Sequence, residues 1–175
     1  RFSADARLKA LARSAIGEDV RLLKDKIIYK PPGVLGYDLH QDLPYIPLEL
    51  PFDAIAIVMI SIDAADAESG PIEFFPAMHH GIMPGEAAEP RNVDIAAIDP
   101  DSGQLGLTDA GDIIMFHSLT PHRSAANVSS NRRAFLYFTY VAARCGDLTQ
   151  EYYDRRFAEL RELAAREKAA EPFFR

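Results

Sequence analysis

The first apolar rhythm in the chain has a helical period. In "ADARLKALARSA", residues 4–15, Leu8, Leu11 and Ala15 recur at three- and four-residue steps, and Gly17 closes the segment. The period then shortens. "VRLLKDKIIYK" (20–30) mixes branched apolar residues with lysines and reads as a strand with mixed faces, ended by Pro31-Pro32-Gly33. "GYDLHQD" (36–42) reads as a second strand. Pro44, Pro47 and Pro51 make the following segment a loop or an extended crossing. "DAIAIVMISID" is a nearly unbroken apolar run rich in branched residues, which predicts a central strand covered on both faces. Further strands are predicted at "PIEFF", "GDIIMFH", "PHRS" and "RRAFLYFTYVA". Residues 149–169, charged and alanine-rich with Leu or Phe at helical spacing, predict a C-terminal helix. Residues 77–104 show little periodicity and read as a long surface loop, a candidate lid.

Many strands of uneven length, a helix at either end and no alternation of strand with helix predict a mainly β chain, a sandwich or barrel, in one domain spanning 1–175. The 175 residues suffice for one hydrophobic core. A hydrophobic share of 48% beside 26% charged residues excludes a disordered chain. A net charge of −7 without a basic block argues against nucleic acid as a partner. The absence of an apolar run of about 18 residues argues against a membrane span. One cysteine, Cys145, allows no internal disulfide and fits a reducing, cytoplasmic setting. A monomer or homodimer acting on a small molecule is the expectation. The chain opens on Arg1, which leaves room for an upstream segment.

The chemistry starts in "GYDLHQDLPYIP". On a strand, positions two apart share a face, so His40 and Asp42 are expected to project into one cavity. An imidazole and a carboxylate are two of the three ligands of a 2-His-1-carboxylate iron(II) site. The chain has five histidines, His40, His79, His80, His117 and His122. His122 and His117 both follow the strand "GDIIMF" and compete for the third place. His122 is favoured because Ser124 shares its face and Arg133 opens the next strand after a polar turn. A hairpin of those strands would set a guanidinium several ångströms from the metal, suited to grip a carboxylate with the Ser124 hydroxyl.

The motifs "HQD", "ESGPIEFFPAMHHG", "AGDIIMFHSLTPHRSAANVSSNRRAF" and the "YY" after "GDL" resemble the phytanoyl-CoA dioxygenase family, over roughly residues 16 to 155. The resemblance implies a double-stranded β-helix (jelly-roll, cupin-like) with flanking helices, and an iron(II)- and 2-oxoglutarate-dependent dioxygenase. Such an enzyme consumes O2, releases succinate and CO2, and hydroxylates or otherwise oxidises an unactivated carbon. It implies iron ligands His40, Asp42 and His122. It puts the far carboxylate of 2-oxoglutarate on Arg133 and Ser124, with Gln41 as a further cosubstrate contact. Halogenases of that family carry a small residue where Asp42 stands, so the carboxylate implies hydroxylation or a related oxidation. Two departures bear on the pocket: the usual "GSH" reads Ala77-Met78-His79, and Arg123 replaces the usual glycine after the distal histidine.

Other residues are expected to be structural. His79 and His80 read as loop residues, Arg132 as outward-facing, Glu73 as outward-facing or capping a turn, and Lys26 and Lys30 as a surface stripe by default, with cosubstrate contact the lesser reading. Phe135 and Tyr137 share the parity of Arg133 and either wall the pocket or pack the core. Tyr45 is the candidate for an aromatic beside the site. Two alternative functions remain, a cupin-type metal enzyme that does not use 2-oxoglutarate and a catalytically silent barrel.

Overall fold

The computed structural model describes residues 2–87, 89 and 91–170. Helix α1 (Ala6–Ile16) begins where the Asp5 carboxylate accepts from the Arg7 N–H and ends at Gly17, whose φ of 86° suits glycine. Its buried face is Leu8 and Ala12, with Ile16 partly buried, rather than the Leu8–Leu11–Ala15 stripe expected from spacing. Leu11 is exposed. The small Ala12 lets the helix lie close on the sheet.

Eight strands follow: β1 (Val20–Lys30), β2 (Tyr37–His40), β3 (Ile55–Ser61), β4 (Ile72–Phe74), β5 (Gln104–Gly106), β6 (Ile113–His117), β7 (His122–Ser124) and β8 (Arg133–Ala142). One sheet has the order β1-β8-β3-β6 and the other β2-β7-β4-β5. Successive strands alternate between the sheets except at the β4–β5 pair. The ladders therefore join first to last, β1 with β8, β2 with β7, β3 with β6 and β4 with β5, all antiparallel. The strands at 20–30 and 133–142 are found where the apolar pattern predicts them, within a residue. β5 is an addition, at the end of the segment read as loop.

Ile57, Met59, Ile72, Phe74, Phe116, Phe135 and Tyr137 pack between the sheets. Ala56, Val58, Phe138 and Tyr140 point the other way, under α1. Helix α2 (Thr149–Ala170) docks Tyr152 against Leu23, Leu43 and Val141. β3 is buried on both faces, as its composition predicts.

One irregularity positions the site. In the β1–β8 ladder Leu22 faces Tyr140 and Lys24 faces Thr139, so Leu23 is an extra residue, a β-bulge. An extra residue reverses the parity of everything beyond it. Val20 and Leu22 therefore pack under α1, whereas Lys24, Lys26, Ile28 and Lys30 sit opposite Thr139, Tyr137, Phe135 and Arg133. Lys24 and Lys30 are thereby buried, while Lys26 between them stays exposed.

The 77–104 segment, of which residues 88 and 90 lie outside the described residues, is anchored along β2. Val93 donates to the Leu39 carbonyl at 2.8 Å, and Val93 and Ile98 are buried against Leu39 and Phe75. No described helix is long and apolar enough to cross a membrane.

Candidate metal centre

His40, the last residue of β2, lies opposite His122, the first of β7. Their ring centroids are 4.3 Å apart. With Asp42 they form a cluster in which one ligand atom from each residue lies within 4.8 Å of the others. His122 Nε2 is 3.8 Å from Asp42 Oδ2.

Strand alternation does not bring Asp42 there. β2 ends at His40, and Asp42 is already helical (φ −71°, ψ −33°) at the head of a 3-10 turn over Leu43–Tyr45. Pro44 cannot donate to a ladder, so the chain turns. That turn folds the carboxylate back onto the imidazoles.

Both rings are held by their own backbone. His40 Nδ1 is 2.7 Å from the Asp38 carbonyl and His122 Nδ1 is 2.9 Å from the Thr120 carbonyl. A carbonyl can only accept, so each Nδ1 carries the proton and each Nε2 keeps its lone pair for a metal. Burial, then repulsion from His40, pushes the His122 pKa down to about 4, so this ring is neutral at pH 7. Burial would raise the Asp42 pKa, but Lys26, His122, Lys24 and His40 together hold it well below the usual carboxylate range. With His122 neutral at pH 7, Lys26 and Lys24 are the cations that act there. Its backbone carbonyl accepts from the Tyr45 N–H, but among the described residues the Asp42 carboxylate accepts no hydrogen bond. A buried carboxylate without a donor, beside two imidazoles with free lone pairs, is a donor set that fits a divalent metal such as iron(II).

Two hollows meet at this cluster, and His40, Asp42, Lys26 and Tyr37 line both. The smaller, about 230 Å³, continues to Ser124, Arg133 and Tyr137. The larger, about 410 Å³, continues to Lys24, Tyr45, Asn92, Tyr152 and Arg156.

The closed end of the smaller chamber is cationic. Arg133 is 1% exposed, and its guanidinium lies over the Phe135 ring, 4.1 Å from the centroid. One amino group donates to the Gly70 carbonyl at 2.7 Å, while its Nε is buried with no partner. No described carboxylate pairs with it, and burial presses its pKa down. Lys30, also 1% exposed, donates to Ser124 Oγ at 2.9 Å and to the Ala125 carbonyl at 2.6 Å. Burial, then the Arg133 charge, lowers its pKa to about 8. Ser124 Oγ accepts from Lys30 and from the Tyr37 N–H at 3.2 Å, which leaves its own proton to donate. The surface position expected of Lys30 is thus corrected: the bulge turns it inward.

The other candidates sort by their hydrogen bonds. His117 is spent on structure: its Nε2 donates to the Phe52 carbonyl at 2.7 Å and its Nδ1 accepts from the Leu119 N–H at 3.1 Å. His79 stacks near His117 and His80, away from the cluster. Gln41, expected against the cosubstrate, lines neither chamber. Its amide donates to the Gly81 and Leu119 carbonyls (2.9 and 2.6 Å) and accepts from the Met83 N–H at 2.9 Å. It faces the loops because it falls between two residues that point to the metal site. Glu73 and Arg123 oppose each other on β4 and β7 and pair at 2.5 Å, so Glu73 is not free on the surface. Arg132 is outward and pairs with Asp63. Tyr45 packs edge-on to His40, with centroids 5.7 Å apart, and donates to Asn92 Oδ1 at 2.7 Å. Tyr137 walls the smaller chamber and Phe135 supports Arg133. Lys24 is what sequence reasoning missed, and for Lys30 it preferred the surface. The spacing of Lys24 and Lys30 with Lys26 was visible, but not the bulge that buries the outer two and sets the exposed Lys26 along the chambers.

The fold is that of solved non-haem iron enzymes. The epimerase SnoN, in a complex with Fe3+, alpha ketoglutarate and nogalamycin RO, superposes with a TM-score of 0.70 at 22% identity, covering 82% of this chain and 58% of that one. The non-heme monooxygenase ThoJ gives 0.70 at 22%, covering 79% and 53%. The chain belongs to the phytanoyl-CoA dioxygenase family: the model described as "Phytanoyl-CoA dioxygenase (PhyH)" matches residues 1–135. Among curated proteins, a methylphosphonate hydroxylase of Gimesia maris is 35% identical over 155 residues, covering 83% of this chain and 55% of that protein. A 2-aminoethylphosphonate dioxygenase of an uncultured bacterium is 30% identical over 146 residues, covering 81% and 53%. The chain thus spans about half the length of these relatives.

Proposed function

We propose that this chain is the catalytic barrel of an iron(II)- and 2-oxoglutarate-dependent dioxygenase that hydroxylates a carbon of a small molecule. The observation that carries the reading is the convergence of two imidazoles with free Nε2 atoms and an unpartnered buried carboxylate, opening into a chamber that ends on an unpaired arginine. The first-to-last pairing of the eight strands supports a double-stranded β-helix, the jelly-roll form of this architecture.

The Nε2 atoms of His40 and His122 and the Asp42 carboxylate would hold the iron. The metal supplies the site where O2 and the 2-oxo acid react. The protein's share is placement. Arg133 Nε and the Ser124 hydroxyl bind the far carboxylate of 2-oxoglutarate, with Lys30 as a second positive charge behind the serine. Phe135 fixes the plane of the guanidinium, and Tyr137 and Ile72 keep the chamber wall dry. In the overall reaction the substrate carbon loses two electrons and 2-oxoglutarate loses two on decarboxylation. O2 takes all four, and its two atoms appear in succinate and in the new hydroxyl.

A cupin-type metal enzyme that ignores 2-oxoglutarate is the rival reading. It gives no reason to keep a buried arginine without an acid partner, so Arg133 favours the oxygenase. The test is an anaerobic titration with iron(II) and then 2-oxoglutarate. A metal-to-ligand charge-transfer band is expected in the wild type, and Arg133→Ala should require far more cosubstrate to develop it. A folded, iron-loaded protein that gives no band would refute the proposal.

A further inference from the structure

The larger chamber has its own chemistry, distinct from the arginine end of the smaller one. Its walls carry three cations, Lys24 and Lys26 from β1 and Arg156 from α2, with the polar side chains of Tyr45 and Asn92. The carboxylates facing it are Asp38 and Asp42, and Asp42 is committed to the metal in the reading above. Arg156 is paired at its outer edge with Glu159 at 2.9 Å. Lys24 is the unusual member. It is 8% exposed and, among the described residues, makes no hydrogen bond or ion pair; its ammonium lies 5.2 Å from the centre of the Tyr152 ring. Lys26 similarly lies 5.0 Å from the Tyr137 ring.

Asp42 is the acid whose charge reaches Lys24, and once a metal takes that carboxylate the buried ammonium is costly unless another anion joins it. The two chambers also differ in the form of their charge. The smaller ends on the Arg133 guanidinium, with Lys30 behind Ser124, a fork and hydroxyl placed to take one carboxylate. The larger offers separate ammonium charges from a strand and a guanidinium from a helix. A guanidinium fork matches phosphate-type oxyanions as well as carboxylates, and lysine adds a point charge, so the Lys24–Arg156 pair suits an oxyanion that offers three oxygens.

We propose that the larger chamber binds the primary substrate by a tetrahedral oxyanion head of the phosphonate type, held by Lys24 and Arg156, with an adjacent C–H bond presented to the metal between the chambers. The inference rests on the oxygenase reading and adds to it a substrate class and the residues that select it. Lys26, which lines both chambers, screens the two anions from each other. Helix α2 becomes part of the substrate site through Tyr152 and Arg156. The reaction at the head's neighbouring carbon breaks one C–H bond and forms one C–O bond. The carbon gives up two electrons to O2, 2-oxoglutarate supplies the other two, and the phosphonate head stays bonded to the hydroxylated carbon.

The test separates the two readings by order of addition. Full-length protein is loaded anaerobically with iron(II) and 2-oxoglutarate, and the charge-transfer band is recorded first. Absence of the band condemns the oxygenase reading itself and, with it, this proposal. With the band present, methylphosphonate, ethylphosphonate and 2-aminoethylphosphonate are titrated beside acetate, propionate and ethanol, and displacement of the band or released heat is followed. At least one phosphonate is expected to bind tighter than every carboxylate and alcohol tested. Lys24→Met should weaken it tenfold or more, and Lys24→Arg, which keeps the charge, should restore most of the affinity. The cosubstrate affinity should stay within twofold in both variants. Failure of every phosphonate to bind, preference for a carboxylate or alcohol, or equal affinity in Lys24→Met with the band intact would each overturn the proposal.

Discussion

His40 and His122 face each other across the β2–β7 ladder, and each imidazole is tied through Nδ1 to the carbonyl two residues before it, Asp38 and Thr120. The two ties are the same device applied to two strands. It fixes the tautomer before any metal arrives, and only the Nε2 atoms remain for coordination. Asp42, placed by a turn rather than a strand, completes the cluster from the side.

Loss of a ligand should therefore cost metal affinity far more than it disturbs the fold. Asp42→Ala and His122→Ala are each expected to weaken iron(II) binding by at least about a hundredfold, read by anaerobic calorimetry. His122→Ala should also lower stability by about 2–4 kcal/mol, because the ring fills a slot beside Phe74 and Phe116 with centroids 6.0 and 5.2 Å away. In the intact chain, saturating iron should raise Tm, since it binds only the folded state. Iron affinity unchanged in both variants would remove the cluster from consideration as a metal site.

A second expectation concerns Gly36. A Cβ built there would run into the backbone carbonyl of Ser124, with Ala125 close behind. Those atoms belong to the strand that carries His122 and Ser124, and they cannot swing aside as a side chain would. Gly36→Ala should push β2 off β7 and separate His40 from His122. A loss of several degrees in Tm and at least about a tenfold loss of iron affinity are expected. Gly111→Ala is the contrast: nothing lies within 4 Å of its would-be Cβ, though its φ is 96°, so it should cost stability without touching the metal. Equal iron affinity in the two variants would contradict this.

Much of this was legible in the chain because single residues carry strong local signals. Gly17 and the prolines after Lys30 mark ends. The branched run of β3 can only be a doubly covered strand, and Arg133 to Ala142 could hardly be anything but a strand. The site was legible to the level of residue type: His40, Asp42, His122, Ser124 and Arg133 line one continuous hollow. What escaped was anything that depends on a one-residue shift. The bulge at Leu23 has no composition of its own, yet it decides that Lys24 and Lys30 are buried. Asp42 reached the site through αR geometry that strand alternation does not describe. β5 is three residues long and ends in glycine, too short for a periodic signal.

Lys30 gives a pH signature. Burial and Arg133 lower its pKa to about 8 from the ordinary 10.5. Between those values the unfolded chain holds a proton that the folded chain has released, so this group's contribution to stability rises with pH across the window and is constant below it. Anion binding runs the opposite way, because the positive form of Lys30 favours the cosubstrate. The Kd for 2-oxoglutarate should weaken roughly tenfold from pH 7 to pH 9 in the wild type. In Lys30→Met it should be weaker throughout and nearly flat. Parallel profiles for the two proteins would exclude Lys30 from the cosubstrate site.

Gln41 sits inside the metal-binding triplet of residues, and its neighbours on both sides point at the cluster, but its own amide serves the loops. It joins Gly81, Met83 and Leu119, three backbone groups from two segments that flank the site. Gln41→Leu leaves all three unpaired in a buried position, which should cost on the order of 3 kcal/mol. The strand end that carries His40 stays paired to β7, so iron affinity should change by no more than about twofold. Limited proteolysis within residues 79–83 should accelerate, because the loop loses its anchor. Gln41→Glu separates the contributions: its carboxylate can still accept from Met83 but cannot donate to either carbonyl, so it should resemble Gln41→Leu more than the wild type. The competing expectation, a direct contact with 2-oxoglutarate, predicts instead a tenfold or greater loss of cosubstrate affinity with loop cleavage unchanged. Measuring both quantities on the same two variants decides which job the residue performs.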